Sequence, residues 1–181
     1  MDANAGRSDG AVMNQTTMDL EGDREIVIRR AFNGPARIVF DAWTNPELVR
    51  RWWAPKSHRV SIASCEAEVR AGGHYRYVLE LASGDRFAFS GKYLDVTPPS
   101  RLVYTEIFEP AATGGSEATA NLITVTFDER NGKTEVVSRT LCQSKEIRDT
   151  ILESGMEHGM RETMDQLDRL VAELDAGTVN L

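Results

Sequence analysis

Glu66 and Glu68 lie in a loosely alternating segment, 58–69, which the turn Ala71-Gly72-Gly73 leads back into HYRYVLEL at 74–81. If that turn sets a simple register, both carboxylates share a face with Tyr75 and Tyr77. A carboxylate held among tyrosines in an apolar cavity loses solvation, its pKa rises, and it can act as a general acid or base. Glu68 is therefore the candidate catalytic residue. The plainer alternative puts both glutamates on a solvated convex face, or pairs them with Arg70 or Arg76. Metal chemistry finds no support: His58, His74 and His158 are scattered, and neither they nor Cys65 and Cys142 have ligand spacing. No GxSxG elbow and no Walker or Rossmann glycine loop occurs, so no cofactor is expected.

Other residues suggest binding. Trp52 and Trp53 follow Arg50 and Arg51. One tryptophan can plug the core while the other packs at the rim; alternatively one lines a pocket mouth and an arginine draws in an anionic head group. Gly155 and Gly159 interleave with Met156, Met160 and Met164. Glycine inside a helix costs about 1 kcal/mol relative to alanine, so the pair needs a reason. Close packing or a gentle bend would serve. So would a cavity opened by the missing side chains and lined by adaptable thioethers.

The elements that must position these residues follow from periodicity. Residues 24–32 read as a strand ended by Asn33-Gly34, and two short helices follow, ARIVFDAWT and a second one through Trp53, with Thr44 and Glu47 as its capping box. Six further strands are expected at 58–69, 74–81, 86–95, 101–108, 122–130 and 133–141, the last two joined by Asn131-Gly132, the favoured type I′ pair. A small, polar surface loop spans 110–120. From Lys145 to Asp175, with Ser144 as N-cap, apolar residues recur at helical period, and Gly177 closes the helix. Short turns between consecutive strands demand antiparallel pairing. The expected fold is α+β: a seven-stranded curved antiparallel sheet around one long C-terminal helix, with two short helices after the first strand closing the end over a pocket. Residues 1–22 read as a disordered tail in which Met13 or Met18 could also start the chain, 23–176 as a single domain, and 177–181 as a C-terminal tail.

The chain has 181 residues and a formal net charge of −7. An acidic balance argues against a nucleic-acid partner. No apolar run approaches a membrane span, the N-terminus lacks the regions of a signal peptide, and two free thiols suit a reducing cytoplasm. Monomer and homodimer both remain open.

Four stretches together resemble one family. FDAWTNPELVRRWWAP at 40–55, Gly72-Gly73-His74-Tyr75, GKYLDVTPPSRLVYTE at 91–106 and GMEHGMRETMDQLDRL at 155–170 are similar to the activator of heat-shock protein 90 ATPase homologues, members of the START/birch-pollen-allergen-like (SRPBCC) superfamily. The resemblance covers about residues 24–174 and implies the helix-grip fold.

Three functions are compatible with this reading. The first is non-catalytic binding of a small hydrophobic or amphipathic molecule in a pocket of Trp53, Tyr75, Tyr77, Phe89, Tyr104, Met156, Gly159, Met160 and Thr163. The second is a cyclase- or hydrolase-type enzyme using Glu68 and a tyrosine. The third, implied by the resemblance alone, is a stress-response protein-interaction module with a chaperone partner.

Overall fold

The structure, a computed structural model, describes residues 14–110 and 114–178. Eight strands form one antiparallel sheet in the order β1-β2-β8-β7-β6-β5-β4-β3. They are β1 (Thr17–Glu21), β2 (Glu25–Phe32), β3 (Ser61–Ala67), β4 (His74–Glu80), β5 (Arg86–Thr97), β6 (Arg101–Glu109), β7 (Asn121–Arg130) and β8 (Lys133–Leu141). Helices α1 (Ala36–Thr44) and α2 (Pro46–Trp52) separate β2 from β3, and α3 (Lys145–Glu153) and α4 (Met156–Asp175) end the fold. This is the helix-grip architecture, with one strand more than the sequence suggests.

The additional strand is β1, which falls inside the expected tail. Its burial is slight, but each residue pairs in register with β2, from Thr17 opposite Arg29 to Glu21 opposite Glu25. Arg29 binds Asp19 and Glu21 across the pair. Backbone pairing to an open edge leaves no hydrophobic alternation in the sequence, so the segment does not announce itself. Residues 1–13 of that tail, 111–113 of the 110–120 loop and 179–181 lie outside the described residues.

The concave face carries the core. Phe32, Ile123, Val125, Phe127 and Val136 of the sheet pack against Leu167, Leu170, Val171 and Leu174 of α4 and against Val39 and Phe40 of α1. Each such side chain contributes about 1.5–3 kcal/mol when fully buried. Buried Arg30 anchors β2 to α4 through Asp165 at 2.5 Å and Asp168 at 3.2 Å.

Two local expectations change. The N-cap of α2 is Asn45, whose side chain accepts from the Glu47 N–H, while Thr44 ends α1 and donates back to the Phe40 carbonyl. The long C-terminal helix is divided. Gly155 adopts φ +76°, left-handed and open to glycine without penalty, so α3 stops at Glu153 and α4 starts afresh at Met156. Ser144 caps α3 as expected, and both Asn131 and Gly132 take the positive φ of a type I′ turn.

Candidate ligand-binding site

Alternation along the strands decides what faces inward. Tyr75, Tyr77, Leu79 and Leu81 of β4 and its turn, with Phe87, Phe89 and Tyr93 of β5, share the concave side, and β6 adds Leu102, Tyr104 and Glu106. The first half of α4 does not close fully onto this surface, because Gly159 presents no side chain there. A cavity of about 580 Å³ remains between α4, the tryptophans of α1 and α2, and strands β2 and β4–β8.

Seven of the nine residues expected in the pocket line this cavity: Trp53, Phe89, Tyr104, Met156, Gly159, Met160 and Thr163. Tyr75 and Tyr77 instead line a narrow recess of about 20 Å³ that shares Trp43, Trp53, Tyr104 and Glu106 with the main space. Tyr75 crosses above Gly91 to donate from its hydroxyl to the Thr105 carbonyl at 3.1 Å. A Cβ at Gly91 would meet that carbonyl oxygen and crowd the Tyr75 ring, so the crossing requires glycine. Burial raises the phenol pKa of Tyr75, Tyr77, Tyr93 and Tyr104, which keeps all four neutral.

The two tryptophans divide their roles. Trp52 is 2% exposed and donates from its indole to the Ala42 carbonyl at 2.8 Å, deep in the core. Trp53 forms cavity wall, edge-to-face with Tyr77 at 5.3 Å and with Phe89 at 5.0 Å. The neighbouring arginines do not reach the cavity. Arg50 and Arg51 border a separate polar depression with Lys56 and Arg169, where Arg51 binds Glu173 at 2.6 Å. The expectation that an arginine draws an anionic head group into the pocket is thereby corrected.

Glu68 is corrected as well. Cys65 lies opposite Tyr77 and Ala67 opposite Tyr75, so Glu66, opposite Arg76, falls on the convex face. Glu68 lies beyond the strand end, 63% exposed and bound to Arg70 at 2.7 Å. The inward carboxylate is Glu106. It lines both the cavity and its recess and is half-buried. Burial alone raises its pKa to about 7. No hydrogen bond or ion pair reaches it among the described residues. The period-two string Leu102, Tyr104, Glu106, Phe108 carried the signal that would have found it.

A broader depression of about 770 Å³ lies on the opposite side of β4–β6. Its charged lining is partly self-satisfied, Arg76 binding Glu109 at 2.8 Å, and it includes Thr105, Ile107 and Asn121 but neither a tryptophan nor Glu106. Cys65 and Cys142 are free and buried, and burial raises the Cys65 thiol to about 11, so it stays protonated. Among the described residues no group of three His, Cys, Asp or Glu side chains is placed to hold a metal ion, and no helix is long and apolar enough to cross a membrane.

A curved sheet gripping a C-terminal helix over an apolar cavity defines the START-like, SRPBCC class. Residues 33–172 match the family described as Activator of Hsp90 ATPase homolog 1-like protein, and the chain belongs to that family. No curated protein matches it. The same fold occurs in a crystal structure from Rhodobacter sphaeroides, 23% identical with a TM-score of 0.79, covering 88% of this chain and 100% of that one. A crystal structure from Nitrosomonas europaea is 23% identical with a TM-score of 0.74, covering 87% and 99%. A solution structure from Staphylococcus epidermidis is 26% identical with a TM-score of 0.71, covering 91% and 96%.

Proposed function

We propose that the protein binds a small hydrophobic or amphipathic molecule, without chemical conversion, in the cavity between α4 and the sheet. The observation that carries this reading is the cavity itself: about 580 Å³ walled by Trp53, Phe89, Tyr104, Met156 and Met160, with few polar groups. Ligand sites typically enclose about 300–1,000 Å³, are mostly apolar, and use a few polar groups for orientation. Burial of ligand surface supplies the affinity at about 25 cal/mol per Å². The two buried free cysteines support a reducing, cytoplasmic setting.

Native mass spectrometry of freshly purified protein, followed by denaturation, tests the reading. Release of an apolar or amphipathic compound is the expected result. A clean apo mass, together with no uptake of a neutral apolar dye such as Nile red, would overturn it.

The family description favours a second reading, a chaperone-associated module acting as an ATPase activator. It requires a protein partner on the outer surface with the cavity left empty. Co-purification of a heat-shock ATPase, unaffected by substitutions inside the cavity, would support that reading over ligand binding.

A further inference from the structure

The cavity's polar groups constrain the head group of its ligand, an inference that rests on the ligand-binding reading above. Glu106 projects from the concave face of β6 with no hydrogen bond or ion pair among the described residues. Directly across the β6–β7 ladder stands Asn121, 9% exposed, whose buried Oδ1 also lacks a partner. Residues opposed on one face of an antiparallel pair have Cβ atoms about 5 Å apart. Asn121 borders the depression outside the cavity, so inside the cavity the acceptor in want of donors is Glu106.

The neighbouring side chains do not meet that demand. Tyr104 on the same strand, Tyr75 on β4 and Cys142 after β8 lie close enough for the Glu106 charge to act on them. The Tyr75 hydroxyl is already committed to the Thr105 carbonyl. Among the described residues no lysine or arginine lines the cavity, and its basic side chain, His58, stacks edge-on against His158 at 5.7 Å. A buried acceptor without a donor is unfavourable, and a donor carried by a bound molecule removes the penalty.

We propose that the cavity selects amphipathic molecules whose head donates hydrogen bonds, foremost an aliphatic amine seated against Glu106, and discriminates against carboxylates. An ammonium offers the Glu106 carboxylate up to three donors and an opposite charge. A carboxylate head would bring further acceptors and a like charge to a spot that has no cation.

The test compares decylamine, decanol and decanoate below their micelle concentrations at pH 8, by calorimetry and quenching of the cavity tryptophans. Decylamine should bind about tenfold or more tighter than decanol, with decanoate weakest. Glu106→Gln should remove the amine's advantage over decanol. The headgroup ranking on the unaltered protein stands independently of that variant. Decylamine affinity should also rise about tenfold per pH unit from 5 to 7 and level off above, as Glu106 ionises; decanol should show no such rise. Equal binding of all three, decanoate binding tightest, or an amine preference that survives Glu106→Gln would overturn the headgroup inference and leave the cavity reading intact. Failure of all three to bind would overturn both.

Discussion

The side-chain amide of Gln166 donates to the Trp52 carbonyl at 2.7 Å and to the Ala54 carbonyl at 2.9 Å. These carbonyls, at the end of α2 and just beyond it, have no helical partner of their own. A buried residue of α4 thus supplies what the end of α2 lacks, and the chain between the two carbonyls is held so that Trp53 faces Tyr77 and Phe89. Gln166→Leu keeps the bulk and removes both donors. It should cost about 2–3 kcal/mol by urea unfolding, and should weaken uptake of an apolar probe because Trp53 loses its anchor. A loss below about 0.5 kcal/mol would show that the two carbonyls find other partners.

Glu106 makes stability depend on pH in a definite direction. An ordinary glutamate ionises near 4.5, whereas the folded protein holds this proton to about 7. Below 4.5 both states are protonated and the burial carries no charge penalty. Between 4.5 and 7 the unfolded chain ionises first, so stability falls as pH rises. Above 7 the full cost, about 3 kcal/mol, is in place. Glu106→Gln should therefore stabilise the protein by up to that amount at pH 8 and change little at pH 4. Denaturant titrations at the two pH values decide it, and equal shifts at both would sink the assignment.

The strand pattern was legible because alternation survives in the sequence: Tyr75, Tyr77, Phe89 and Tyr104 all fall on the inward side. The sequence places Glu68 on the wrong face because the ladder is centred on Ala71 and not on the Gly72-Gly73 pair. The observed partner of Tyr75 is Ala67, and a one-residue difference reverses the face. Glu106 is visible only as one polar residue in an apolar alternation, which reads as a local exception until the fold brings Trp43 and Trp53 around it. The glycines at 155 and 159 stand out in the sequence, but φ at Gly155 is a property of the folded chain, and the helix break follows from it alone. Strand β1 depends on its neighbour rather than on its own hydrophobicity.

Those two glycines should respond oppositely to alanine. At Gly155, φ +76° forces any L-residue into left-handed backbone, with open space around it, so Gly155→Ala should destabilise by about 1 kcal/mol. Gly159 has ordinary helical backbone, and an added Cβ would meet Pro55 at 3.6 Å, normal contact. Gly159→Ala should stabilise by about 0.5–1 kcal/mol through helix propensity. It should also narrow the cavity and slow or weaken uptake of Nile red. Thermal melts of the pair test the division of the C-terminal helix; the same sign in both would contradict it.

Trp52 and Trp53 offer the sharpest separation of folding from binding. Both border the cavity, and Trp52 belongs to the core cluster as well. Trp52 is enclosed by the core and loses a hydrogen bond to Ala42 when truncated, so Trp52→Ala should cost about 3–5 kcal/mol. Trp53 faces the cavity on one side, and its edge-to-face partners Tyr77 and Phe89 remain packed against their strands without it. Trp53→Ala should cost about 1–2 kcal/mol, but it removes a wall that a ligand would cover. Apolar-probe affinity should fall at least about tenfold in Trp53→Ala, measured at a temperature where that variant is fully folded. A variant that keeps full affinity while losing stability would assign Trp53 to the core and shift the binding surface away from α2.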